Sequence, residues 1–182
     1  GAGRYADAIK LIRKDNPFPT ACALICEHPC EARCRRNMID SSINIRGLKR
    51  MAVDNAPANT VPVPEKAAST GKRIAIIGGG PSGLAAAYYL ELMGHHAVVF
   101  EAKSKLGGML RYGIPEYRLP KAVVDDEIAT IEAMGVNIVT GTMIGKDIPF
   151  ETVRKEYDAV LLGIGAWVST GVGCKGEDAE GV

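Results

Sequence analysis

Residues 73–83 read Arg73-Ile74-Ala75-Ile76-Ile77-Gly78-Gly79-Gly80-Pro81-Ser82-Gly83, and their reading decides the fold. The apolar run after Arg73 predicts a short strand buried on both faces, as in a parallel sheet. The glycines then satisfy G-x-G-x-x-G between that strand and a helix running to about Met93, the context in which the pattern means dinucleotide binding. Gly78 permits the tight turn, Gly80 lets backbone amides approach a pyrophosphate, and Gly83 lets the helix pack closely on the strand. Pro81 and Ser82 complete the loop, and the helix N-terminus offers its partial positive charge to the phosphates. A purely structural glycine turn is the alternative.

The next strand is expected over Ala97–Glu101, so Glu101 falls 18 residues beyond Gly83. Its carboxylate can accept hydrogen bonds from ribose hydroxyls and would repel a 2′-phosphate. Leu106-Gly107-Gly108-Met109 argues for FAD over NAD, because paired glycines let a second loop approach the cofactor. Further elements are expected as a helix over Lys121–Met134, a strand at Val136–Val139 and a strand at Asp158–Leu162. That last strand ends in Gly163-Ile164-Gly165-Ala166, at the carboxyl edge beside the same phosphates. Alternating strands and helices imply a Rossmann-like parallel sheet in the α/β class. Gly171-Val172-Gly173-Cys174-Lys175-Gly176 also fits G-x-G-x-x-G, but no strand feeds it and no apolar helix follows, so it reads as loop.

Upstream the character changes. Residues 4–14 place apolar side chains at 5, 8, 9 and 12, one face of a helix. Asn16-Pro17-Phe18-Pro19 stops it, since two prolines remove donors and disfavour helical geometry in their predecessors. Four cysteines follow, then a helix around Ile45–Val53. The Pro-rich run from Ala56 to Thr70 reads as a linker. The chain therefore divides into a helical cysteine-rich segment (1–55), a linker (56–70) and a nucleotide-binding α/β segment (71–182). Residues 1–55 carry ten basic and six acidic side chains, a charge of +4; residues 56–182 carry twelve and fifteen, or −3. The whole 182-residue chain is +1, with 47% apolar and 24% charged residues. No bulk basicity argues for nucleic acid or a membrane surface. Its longest uncharged run, Ile74–Leu90, is broken by glycines and a proline where a membrane span should be continuous.

Cys22, Cys26, Cys30 and Cys34 repeat every fourth residue. Pro29 discourages one regular helix through them, and bends would let several thiolates converge on a polynuclear cluster. Iron–sulfur clusters accept such close, varied spacings. Structural zinc favours C-x2-C pairs with a longer spacer, and plain buried or redox thiols remain a third reading. His28 could ligate a metal, but a surface or supporting role suits a single histidine better. Cys174 stands alone. Without a secretion signal such thiols point to a reducing compartment, the cytoplasm.

With these motifs in view, the chain resembles the glutamate synthase small (β) subunit family, a module shared with dihydropyrimidine dehydrogenase and bifurcating ferredoxin:NADP oxidoreductases. The likeness rests on Asn16–Pro19, the four cysteines with Arg35-Arg36, the GGGPSG turn and above all Leu106–Lys121. It implies that FAD takes hydride from NADPH and that electrons pass through [4Fe–4S] clusters to an electron-accepting subunit or domain. It also implies FAD contacts at Met109, Gly108 and Arg118, with adenine held near Ile144. Taken alone, Met109 and Ile144 would read as packing and Arg118 as a surface ion pair. The family carries a preceding cysteine motif that is absent here, so Cys26 and Cys30 would serve one cluster and Cys34 the other. Some relatives use a Glu or Gln ligand near Lys49, whose ammonium cannot ligate, which leaves Cys22 or nothing as the substitute. The family's inserted NADPH domain would follow near Gly176, so the expected protein is longer than these residues. No acid–base catalytic residue is nominated. A zinc-stabilised, non-catalytic interaction module is the competing reading.

Overall fold

A computed structural model describes residues 2–56, 61–168 and 170–180. Four short helical pieces lead: α1 (Tyr5–Ile12), α2 (Pro19–Ile25), α3 (Pro29–Ala32) and, after a 3-10 turn at Arg35–Met38, α4 (Ile45–Asp54). Pro19 and Pro29 each sit in a helix's first turn, where a missing N–H costs nothing. His28 between them adopts a left-handed φ of 44°, so the chain turns sharply between Cys26 and Cys30. Asn44 caps α4 through Gly47 N at 2.9 Å.

The second part alternates β1 (Arg73–Ile77), α5 (Pro81–Leu92), β2 (His96–Phe100), α6 (Met109–Tyr112), α7 (Lys121–Ala133), β3 (Asn137–Val139), α8 (Phe150–Glu156) and β4 (Ala159–Leu162). All strands pair in parallel, in the order β3-β2-β1-β4. The chain winds outward from β1 to β3 and then returns to the other side of β1. A topological switch therefore falls between β1 and β4, where their carboxyl ends leave a crevice.

Strand alternation sorts the core. Ile76, Ala97 and Val99 face α5 and α7, meeting Leu84, Ala87, Tyr88, Val124, Ile128 and Ile131. Ala75, Val98 and Phe100 face the other way, onto Val153 of α8. Phe18 and Ala21, from the cysteine-bearing segment, belong to the first of these clusters. Tyr88 Oη donates to the Arg13 carbonyl at 2.8 Å, fixing the end of α1 to α5.

Of the expected linker, residues 57–60 lie outside the described residues. Residues 61–70 form no helix or strand but are tied to the end of α5 and the turn after it: Ala67 N donates to Leu92 O and Thr70 N to Gly94 O, both at 2.9 Å. Lys66 pairs at 2.7 Å with Glu91, a buried carboxylate that also accepts Ala97 N at 2.9 Å. The second G-x-G-x-x-G, at 171–176, contains no helix or strand.

Candidate functional site

The crevice at the switch point is a cavity of about 540 Å³. Ile77, Gly78, Gly80, Pro81 and Ser82 form its floor, with Gly108 and Met109 on one rim and Thr142, Met143 and Ile144 on another. Leu162–Trp167, from the end of β4, closes the remaining side.

Local geometry explains the glycines. Gly78 turns at a φ of +111°, beyond the ordinary reach of a side chain. A Cβ on Gly83 would run into the carbonyl oxygen of Gly78, so only glycine lets α5 sit this close to β1. No side chain caps α5. The N–H groups of its first turn have no intrahelical acceptors, and they open toward the cavity with the positive end of a twelve-residue helix. An anion is the natural occupant.

Glu101 is 6% exposed and lines the same cavity. Its carboxylate accepts Gly79 N and Lys103 N, each at 2.7 Å. Those bonds hold its orientation, and each oxygen retains acceptor capacity for a hydroxyl. The Gly107 loop is tied to the turn by Gly107 N donating to Gly79 O at 2.8 Å, which brings Gly108 and Met109 to the mouth.

The cavity thus gathers Gly78, Gly80, Pro81, Ser82, Glu101, Gly108, Met109 and Ile144. Gly83 lies just beneath, at the helix–strand contact. Arg118 is not brought in: it is exposed on the turn after α6, outside the lining residues. Sequence reasoning missed Thr142, Met143 and Trp167. The Trp167 ring stands edge-on to Tyr112 at 5.7 Å, and Lys103 Nζ lies 5.0 Å from its centroid. A lone tryptophan directly after Gly163-Ile164-Gly165-Ala166 was the one available signal. The site fits a dinucleotide's diphosphate and ribose on donor chemistry and shape alike.

The four cysteines are free, three of them half-buried and Cys30 exposed. Cys22 lies on α2, Cys26 at its end, Cys30 on α3 and Cys34 before the 3-10 turn. Backbone N–H groups of Ile43, then Arg36, hold the Cys34 thiol below its usual range, favouring the ligating thiolate. His28 Nδ1 faces Glu31 at 3.3 Å rather than a thiol. Among the described residues no three His, Cys, Asp or Glu side chains gather as a metal site. The donor type suits an iron–sulfur cluster; as a ligand set the four do not complete one.

Fold and cleft together define a dinucleotide-binding α/β protein with a thiol-rich helical extension. Residues 1–61 match the family model described as dihydropyrimidine dehydrogenase domain II, 4Fe-4S cluster, and residues 76–137 match the NAD(P)-binding Rossmann-like domain. The chain is 43% identical to NADPH-Fe(3+) oxidoreductase subunit beta of Geobacter sulfurreducens, over 96% of this chain and 26% of that protein. It is 38% identical to NADP(+)-dependent formate dehydrogenase subunit beta of Moorella thermoacetica (97% and 28%). It is 36% identical to the glutamate synthase [NADPH] small chain of Bacillus subtilis (99% and 37%). Over nearly its whole length the chain is similar to these beta subunits and to the glutamate synthase small chain, and it spans between a quarter and two fifths of the length of these three relatives. Among solved structures, a point mutant of FprA from Mycobacterium tuberculosis superposes with a TM-score of 0.52 at 24% identity, over 59% of this chain and 25% of that one, a likeness of fold. No helix among the described residues is long and apolar enough to cross a membrane.

Proposed function

We propose that the chain is the electron-transfer module of an NAD(P)H-dependent flavin and iron–sulfur oxidoreductase, acting in the cytoplasm. FAD occupies the cleft at the switch point, its diphosphate on the first turn of α5 and its adenosine ribose on Glu101. Met109 lies against it from the rim and Ile144 toward the adenine. Arg118 reaches FAD only through movement of its exposed turn. When bound, FAD would supply the chemistry of accepting one hydride, that is two electrons with a proton, and releasing the two electrons singly. The chain's own residues bind, orient and exclude water. Residues 1–55 form the iron–sulfur part, 56–70 the connection and 71–182 the flavin part.

Cys22, Cys26, Cys30 and Cys34 supply thiolates to [4Fe–4S] clusters whose remaining ligands come from elsewhere in the native holoprotein. NADPH is the reductant, bound outside these residues, and the electrons leave to an accepting subunit or domain. Three relatives named as beta subunits or small chains support that arrangement. The observation that carries the proposal is the uncapped N-terminus of α5 opening, beside Glu101, into the cleft at the β1–β4 switch point. Native holoprotein purified without air should show a flavin absorption spectrum together with iron and acid-labile sulfide. Protein lacking flavin, and containing stoichiometric zinc instead, would overturn it.

A further inference from the structure

Glu127 is a carboxylate in an unusual place. It sits on α7, within the nucleotide-binding half, yet is only 4% exposed and reaches no residue of the cleft. Its two oxygens accept successive backbone N–H groups from the other half: Thr20 N on Oε1, and Ala21 N on Oε2 at 3.2 Å. Those N–H groups belong to the first turn of α2, which has no capping side chain of its own. A residue more than a hundred positions away therefore performs the task usually given to a local N-cap. Cys22 is the next residue along, and Cys26 ends the same helix.

The groups around Glu127 favour a structural tie over a ligand site. Arg13, just past the end of α1, lies nearby, and its Nη2 donates to Thr130 Oγ1, one turn further along α7, at 3.3 Å. Asp126 of α7 and Asp54 of α4 border the same hollow. Burial pushes Glu127 up to about 7, against the pull of the Thr20 and Ala21 amides, the Thr20 side chain and Arg13. Burying such a group is costly unless it is well bonded, so its two amide contacts mark a constrained junction.

We infer that Glu127 is a positioning residue: it latches α2 to α7, so that the nucleotide-binding fold, and not the 56–70 connection, sets where Cys22 and Cys26 lie. The consequence for iron rests on the function proposed above; the latch does not. Phe18 and Ala21 join the apolar cluster that includes Val124, Ile128 and Ile131 of α7, but apolar contacts are non-directional. Glu127 fixes the rotation and register of α2 through two directed bonds.

The test compares native holoprotein with Glu127→Ala and Glu127→Gln. Amide hydrogen exchange at Thr20 and Ala21 should accelerate at least about tenfold in the alanine variant, which loses both acceptors. Glutamine keeps one acceptor oxygen, so one of the two amides should stay protected. Challenged with an iron chelator, the alanine variant should lose iron about tenfold faster than wild type at unchanged flavin content, and glutamine should restore most of the difference. If Glu127→Ala does not fold, the residue-by-residue protection pattern of Glu127→Gln decides. Unchanged exchange at both amides in either folded variant overturns the latch. So does equal loss of flavin and iron, which would indicate general destabilisation. Wild-type protein without iron or flavin would instead refute the proposed function, and the exchange measurement would still decide the latch.

Discussion

The two halves of this protein build binding chemistry in opposite ways. The cleft is made largely of backbone: amides at the start of α5, glycines that allow close approach, and one glutamate held by two N–H groups. Its geometry is in place because β1, β2 and β4 fix it from below. The cysteine segment is made of side chains on short helices joined by bends, and its thiols stand apart. One region is preorganised by a sheet; the other takes its order from what it packs against, namely α7 through Glu127 and the shared core through Phe18 and Ala21.

That contrast can be broken most severely at Gly83. Gly83→Val should drive a side chain into the Gly78 carbonyl and cost about 3 kcal/mol or more, abolishing flavin retention. A melting temperature lower by roughly 10 °C would register it, and an unchanged melt would show that the turn has slack.

Next in size is a pH effect confined to the junction. Burial raises Glu127 from the ordinary 4.5 to about 7, so the folded protein keeps a proton that the unfolded chain has released. The stability this group contributes is fully present below about pH 4.5 and is lost as pH rises through 7. The full change is about 3 kcal/mol. Urea unfolding between pH 4.5 and 8 should show that slope in wild type, and Glu127→Gln, with no proton to release, should lack it.

A smaller effect separates the thiols. Cys34→Ser should lower the iron-to-flavin ratio of the holoprotein by roughly half, as expected where thiolates hold clusters, while exposed Cys174→Ser leaves it unchanged. Equal ratios for both variants would remove Cys34 from the ligands.

The nucleotide-binding half was legible because its signals are local. An apolar strand, a glycine turn and an acid at a fixed interval lie within thirty residues, and all four expected strands stand within a residue or two of their observed bounds. The rest was hidden by distance along the chain. Glu127 sits in an Asp-Asp-Glu run on a helix and reads as solvated surface until α2 packs on it. Phe18 reads as part of a helix stop, yet it joins the sheet's core. The helices α6 and α8 are four and seven residues long, too short for an amphipathic period to declare itself. Thr142, Met143 and Trp167 reach the cleft from loops whose course no periodicity foretells. The even cysteine spacing falls across separate elements, with Cys22 on α2, Cys26 at its end and Cys30 on α3 beyond the left-handed turn at His28, an arrangement no spacing alone foretells.

The most direct measurement is flavin affinity at Glu101. Native holoprotein freed of flavin is titrated with FAD alongside its Glu101→Gln variant. An amide in place of the carboxylate loses a charged acceptor and turns a donor toward an N–H, so binding should weaken about tenfold or more, with iron content unaltered. Equal affinity for FAD in the two proteins, or no measurable binding to either, would contradict the assignment of this cleft.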